Sequence, residues 1–154
     1  MTSTEKVTRG AMRFLVELGY APLTEVSLTN GRRADIVALD RGGRAIIVEV
    51  KSCLADFRSD NKWQEYMSYC EEFFFAVDAD FPRAVLDEAT SLPHLTGIIL
   101  ADAYGADIIR PAASRVVNAA KRKTLTLKMA RIGAMRLADE GSPVVAAPRL
   151  TRLL

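Results

Sequence analysis

The run RAIIVEVK, from Arg44 to Lys51, constrains the fold more than any other part of this sequence. It is rich in β-branched residues and apolar on both of its alternating faces. Such a strand has to be covered from both sides and so belongs inside a sheet. A second β-like run, RADIVAL from Arg33 to Leu39, precedes it across a turn at Asp40 to Gly43. A third, from Leu23 to Leu28, is separated from the second by Asn30-Gly31, a strong hairpin signal. Three strands on short turns predict an antiparallel meander whose third strand, Arg44–Lys51, is central in the sheet and covered on both sides.

The flanking patterns supply the other layers. Thr2 to Leu18 predicts a helix, with Ala11, Phe14, Leu15 and Leu18 on one stripe, Ser3 or Thr4 as its cap and Gly19 as its stop. Asp56 to Cys70 predicts a second helix, with Trp63, Tyr66, Met67 and Cys70 at helical spacing. FFFAV, Phe73 to Val77, is a short buried strand, and a strand–helix–strand passage returns parallel by a right-handed crossover. Pro82 to Pro93 predicts a loop with one helical turn. Gly97 to Ala101 is another strand, and Tyr104 to Arg110 an edge strand joined to it near Ala103 to Gly105. Asn118 to Glu140 predicts a long helix ended by Gly141 and Pro143, with a loose tail over 141–154. The order implies one α/β domain over residues 1–154, a three-layer core in which helices flank a mixed sheet.

Composition removes several function classes. A chain of 154 residues, 49% hydrophobic and 26% charged, fits one domain whose core needs no staples. Cys53 and Cys70 lack metal-ligand spacing and His94 is the one histidine, which argues against a disulfide framework and a Cys/His zinc site. No apolar run is long enough to span a bilayer, and no signal-type apolar stretch stands at the start, so the expected setting is cytoplasmic with no membrane partner. The net charge is only +2, but it is unevenly spread. Acids crowd Glu71 to Asp107. Ile108 to Ala138 holds no acid and carries Arg110, Arg115, Lys121, Arg122, Lys123, Lys128, Arg131 and Arg136. Such a segment is either a phosphate-facing surface or a solvated helix face that balances the acidic stretch within the fold.

The chemistry-bearing spacing lies at the end of the central strand. Glu49 and Lys51 are two apart and share a face, while Val48 and Val50 point into the opposite layer. Polar residues there are costly unless they are used or paired. Pairing about the turn near Arg41 and Gly42 sets Asp35 across from Glu49. Two facing carboxylates beside a lysine fit a hard divalent cation such as Mg²⁺, with Mn²⁺ as its substitute and the Val50 carbonyl as a further oxygen ligand. The matching chemistry is metal-assisted hydrolysis of a phosphodiester, with Lys51 orienting the water or stabilising charge on the phosphate. The same spacing also allows a plain surface ion pair between Lys51 and Asp35 or Glu49.

Asp35, the hairpin, and then Glu49-Val50-Lys51 resemble the bipartite D…ExK motif of the PD-(D/E)xK nuclease superfamily, and the order of elements from Val7 to Val77 matches. The resemblance implies a restriction-endonuclease-like core with Asp35, Glu49 and Lys51 as catalytic residues. It also implies a further acid from the first helix or strand. Glu25 is the first candidate, ahead of Glu5 and Glu17; otherwise Glu25 is a solvated strand-end acid. The segments NGRRADIVALD, IVEVKSCLADFRSDNKWQEYMSYCEEFFFAV and GIILADAYGADIIR are similar to the MmcB family of bacterial DNA repair proteins, over Glu25 to Arg136. This implies a role in DNA repair on a nuclease-like fold, with DNA as partner.

Arg32 and Arg33 precede Asp35 and could neutralise the acids or grip phosphate. Arg58 and Lys62 follow the ExK strand and could hold phosphate, and Tyr66 could stack on an unpaired base. Core packing is the other reading for Tyr66, and it is the one taken for Trp63. His94 is expected to be a bystander. A homodimer is left open, since many nucleases cut two strands with two sites. Three functional readings follow: a Mg²⁺-dependent DNA nuclease, a catalytically inactive DNA-binding or repair-scaffold protein on the same fold, and a protein-interaction module.

Overall fold

The computed structural model describes residues 1–28, 30–60 and 62–140, and the expected meander is its first feature. Strands β1 (Ala21–Ser27), β2 (Arg33–Leu39) and β3 (Ala45–Val50) pair antiparallel in turn. The β2–β3 turn is fixed by Asp40, whose Oδ1 accepts the Gly42 N–H at 2.8 Å and the Arg44 N–H at 2.9 Å. Gly43 sits there at φ +88°, a conformation open to glycine at little cost. Every residue of β3 is buried, as a strand apolar on both faces requires.

β4 (Glu72–Val77) returns parallel to β3, β5 (Gly97–Ala101) lies parallel to β4, and β6 (Ala106–Arg110) closes the sheet antiparallel. The sheet order is β1-β2-β3-β4-β5-β6. Helix α1 (Ser3–Glu17) covers one face, packing Val7, Ala11 and Leu15 with Ile36, Val48, Val50, Phe74 and Ile99. Its cap is Thr2 rather than Ser3 or Thr4. Glu5 stands three residues on and reaches back to the Thr2 N–H, which completes a capping box.

The other face carries α2 (Leu54–Ser59), a 3₁₀ segment (Trp63–Tyr69) and α3 (Ala119–Asp139). The single helix expected over Asp56 to Cys70 is therefore corrected to two pieces. The break falls at Asp60, which leaves the helical region (φ −94°, ψ 103°) and accepts the Lys62 N–H on Oδ1 at 3.0 Å. A short acidic side chain that bonds nearby backbone competes with helix formation. The apolar stripe survives the break: Trp63, Tyr66, Met67 and Cys70 are all buried. Trp63 stacks on Phe73 with ring centroids 5.5 Å apart and meets Phe75 edge-on at 4.8 Å. Burial pushes the Cys70 thiol up to about 12, so it is an inert small hydrophobe.

Helix α3 is capped by Asn118, whose side chain accepts from the Ala120 and Lys121 N–H groups. It buries Leu125 and Met129. Several of its basic heads are engaged by the fold itself. Arg122 pairs with buried Glu71, and Lys121 bonds Ser68 Oγ and lies over the Tyr69 ring. Lys128 donates to the Ser27 carbonyl and Arg136 to the Glu25 carbonyl, each at 3.1 Å. For these residues the balancing role holds, while Lys123 and Arg131 stay exposed. The tail expected over 141–154 lies outside the described residues. Among the described residues, no helix is long and apolar enough to cross a membrane.

Candidate metal and nucleic-acid site

The Cα pairing of β2 with β3 runs from Leu39–Ala45 to Ile36–Val48, and the next rung is built from side chains. The Asp35 N–H donates to Glu49 Oε1 at 3.2 Å, and the Val50 N–H donates to Asp35 Oδ2 at 2.8 Å. Asp35 and Glu49 are thus opposed as the turn length requires. Alternation along β3 sets Glu49 and Lys51 on the face of Ala45 and Ile47, under Trp63 and Tyr66, and turns Val48 and Val50 toward α1.

Glu49 is only 4% exposed. Burial first, and then the Asp35 carboxylate beside it, push its carboxyl up to about 9. A carboxyl whose charge is opposed by burial and by a neighbouring acid is one that a divalent cation could neutralise. Among the described residues, no group of three or more His, Cys, Asp or Glu is close enough to hold a metal. Asp35 and Glu49, with the Val50 carbonyl expected from the sequence, could offer at most a partial shell. That suits a hard ion that keeps waters and substrate oxygens, and it does not suit a closed structural site.

Lys51 is also 4% exposed, and its Nζ donates to Asp60 Oδ2 at 2.6 Å. The surface pair with Asp35 or Glu49 is corrected on both counts: the ion pair is largely buried and its acid is Asp60. Burial alone would raise the Asp60 carboxyl, but the hydrogen bonds from Lys51 and the Lys62 N–H hold it below its ordinary value. Tyr66 is buried, and its hydroxyl donates to the Arg33 carbonyl at 3.1 Å. Burial, followed by the nearby Glu49, Asp60 and Asp35 carboxyls, raises its hydroxyl well above the usual range. Stacking of Tyr66 on a base is therefore corrected: the ring is core, and the residue braces the start of β2.

Glu25 faces Asp35 across the first hairpin. The pairs Thr24–Ile36 and Val26–Ala34 flank the two residues, and Glu25 itself adopts φ +52°, uncommon for a side-chain-bearing residue. Glu25 is thus level with Asp35 in register, while among the described residues the three acids Glu25, Asp35 and Glu49 do not gather into one metal-sized group. Glu25 and Asp35 line a cleft of about 390 Å³ together with Glu5, Thr8 and Arg9 of α1. Glu5 is already tied to the Thr2 cap, and Glu17 does not line the cleft. Arg9 is a cation that the sequence reading passed over; its helical spacing from Glu5, ahead of a strand acid, was the available signal.

The expected phosphate contacts are more scattered. Arg33 lies 3.9 Å from Glu25, Arg32 3.6 Å from Glu65 and Arg58 3.3 Å from Glu88. Lys62 is exposed next to the Asp60 turn, and His94 is exposed.

A six-stranded mixed sheet with helices on both faces, carrying an acid pair and a buried lysine at the end of its central strand, defines an α/β domain with one polar site built on the meander. The chain belongs to the MmcB-like family: the model of that family, described as DNA repair protein MmcB-like, matches residues 2–143. The resemblance to the MmcB family is thereby borne out, and membership points to a role in DNA repair with DNA as partner. The fold is shared with a solved structure, the SPO1766 protein of unknown function from Silicibacter pomeroyi. It is 35% identical, with a TM-score of 0.83 over 94% of this chain and 95% of that one. No curated protein matches the sequence.

Proposed function

We propose that this protein is a Mg²⁺-dependent DNA nuclease acting in repair, with a PD-(D/E)xK site on a restriction-endonuclease-like core. The observation that carries the reading is the side-chain rung in which Asp35 and Glu49 are held together with the Glu49 carboxyl pushed up. Asp35, Glu49 and the Val50 carbonyl would hold the ion. When bound, the ion supplies charge to a phosphoryl oxygen and lowers the pKa of a water. Lys51 keeps an ammonium next to the carboxylates, where it orients the attacking water or offsets charge that builds on the phosphate. Glu25 and Arg9, on the neighbouring cleft, flank the path of the DNA backbone, with Arg32, Arg33, Arg58 and Lys62 as further phosphate contacts.

The test is cleavage of end-labelled duplex, flapped and branched DNA by the purified protein with Mg²⁺ or Mn²⁺. Glu49→Gln should lower the rate on the order of a hundredfold or more, as expected for loss of a group acting in the transition state. Wild-type cleavage no greater than that of Glu49→Gln on every substrate would sink the reading.

The exposed cations of α3, Lys123 and Arg131, favour a second reading, a catalytically inactive DNA-binding or repair-scaffold protein on the same fold. It predicts salt-dependent DNA binding that survives Glu49→Gln, with no cleavage by either protein.

A further inference from the structure

We infer that Asp60 is the positioning residue of Lys51, fixing its ammonium beside the carboxylate pair; the functional part of this inference rests on the nuclease reading. A lysine head buried at a strand end is costly without a counter-charge. Among the described residues its hydrogen bond goes to Asp60 and to neither acid of the site, which are tied to backbone instead: Glu49 Oε1 accepts the Asp35 N–H and Asp35 Oδ2 the Val50 N–H. The partner comes instead from the other layer, nine residues along the chain, at 2.6 Å.

The two oxygens of Asp60 divide their work. Oδ1 takes the Lys62 N–H and turns the chain out of α2, while Oδ2 takes Lys51 Nζ. The same side chain therefore shapes the turn between Arg58 and Lys62 and anchors the lysine. A lysine is a point charge on a flexible four-carbon stem, and holding it in one place is what catalysis by proximity requires. The helix break is then the local cost of delivering a carboxylate to that ammonium.

Asp60→Asn separates the two jobs. Its amide oxygen can still accept the Lys62 N–H and keep the turn, but the charge that holds Lys51 is gone. Two readouts are needed, cleavage kinetics with Mn²⁺ and the rate at which Lys51 Nζ is dimethylated by formaldehyde and a borane, followed by mass spectrometry. We expect kcat for Asp60→Asn to fall by about tenfold or more with KM changed by less than about twofold, and Asp60→Glu to recover part of the loss. Lys51, protected in the wild type, should be modified about tenfold faster in Asp60→Asn, with exposed Lys62 unchanged; loss of the counter-charge lowers the melting temperature while the variant stays folded at the assay temperature. Should Asp60→Asn unfold, Asp60→Ser, which also keeps a turn-forming oxygen, takes its place.

Cleavage by Asp60→Asn at the wild-type rate would overturn the inference, and so would unchanged Lys51 modification. If the wild type cuts no DNA, the nuclease reading falls. The modification rate alone then decides whether Asp60 holds Lys51.

Discussion

At the scale of single residues, Glu49 couples the site to pH. Its folded carboxyl titrates at about 9 against an ordinary value of 4.5, so between these the native state binds a proton that the unfolded chain lacks. For a group raised on folding, the stabilisation is complete below the unfolded value and is lost as pH rises toward the folded one. The metal-free protein should therefore lose melting temperature progressively between about pH 5 and 9. Under the proposed nuclease reading a bound cation would take the place of that proton, so the rise in melting temperature caused by Mn²⁺ should grow across the same interval. Glu49→Gln, which mimics the neutral carboxyl, should flatten both trends in a fluorimetric melt series; a Glu49→Gln profile identical to wild type would show that another group carries the effect. The opposition of Asp35 and Glu49 was legible in the sequence because turn length and a period of two fix which residues face each other. The Lys51–Asp60 bond was not. It joins a strand to a turn whose own shape depends on that side chain, and local pattern favoured a helix there.

At the scale of elements, the strands were readable almost residue for residue, because β-branched runs between Gly and Asp turns leave little choice of register. Helix α2 was misread for a physical reason visible in hindsight. Ser59, Asp60 and Asn61 form a run of short polar side chains of the kind that bond local backbone, but the apolar stripe through Trp63 and Tyr66 spoke louder. The close seat of α1 on the sheet carried no sequence signal either. At Gly10 an added Cβ would lie 1.9 Å from the Asp102 carbonyl oxygen and 2.6 Å from that of Gly105. Backbone atoms cannot step aside as a flexible side chain can. Gly10→Ala should thus push α1 off the β5–β6 turn and cost about 1–3 kcal/mol in urea unfolding, as overpacking does. A variant as stable as wild type would mean that the helix shifts freely.

At the scale of the whole molecule, α3 locks the second helical layer to the sheet. Glu71 is buried and accepts the Ala45 N–H at 2.7 Å at the start of β3, and Arg122 of α3 neutralises it. Arg122→Met would leave that charge without its partner and should cost about 3 kcal/mol, while Glu71→Gln in the same chain should restore part of it. Additive losses in the double mutant would rule out the pair as the lock. The three-layer arrangement followed from hydrophobic periodicity. The inward use of the basic helix did not, because a cation that clamps a carbonyl and one that awaits a phosphate look alike in sequence. The register that sets Glu25 level with Asp35, and Asp35 against Glu49, limits how such a chain can vary. Two turns of fixed length bring these acids level, so one residue inserted or deleted in either turn would let the strands re-pair into a sound sheet with the acids out of line. Surface loops elsewhere in the chain can lengthen at little thermodynamic cost. Homologues that keep the chemistry should therefore hold both meander turns constant in length while the stretch between β4 and β5 varies.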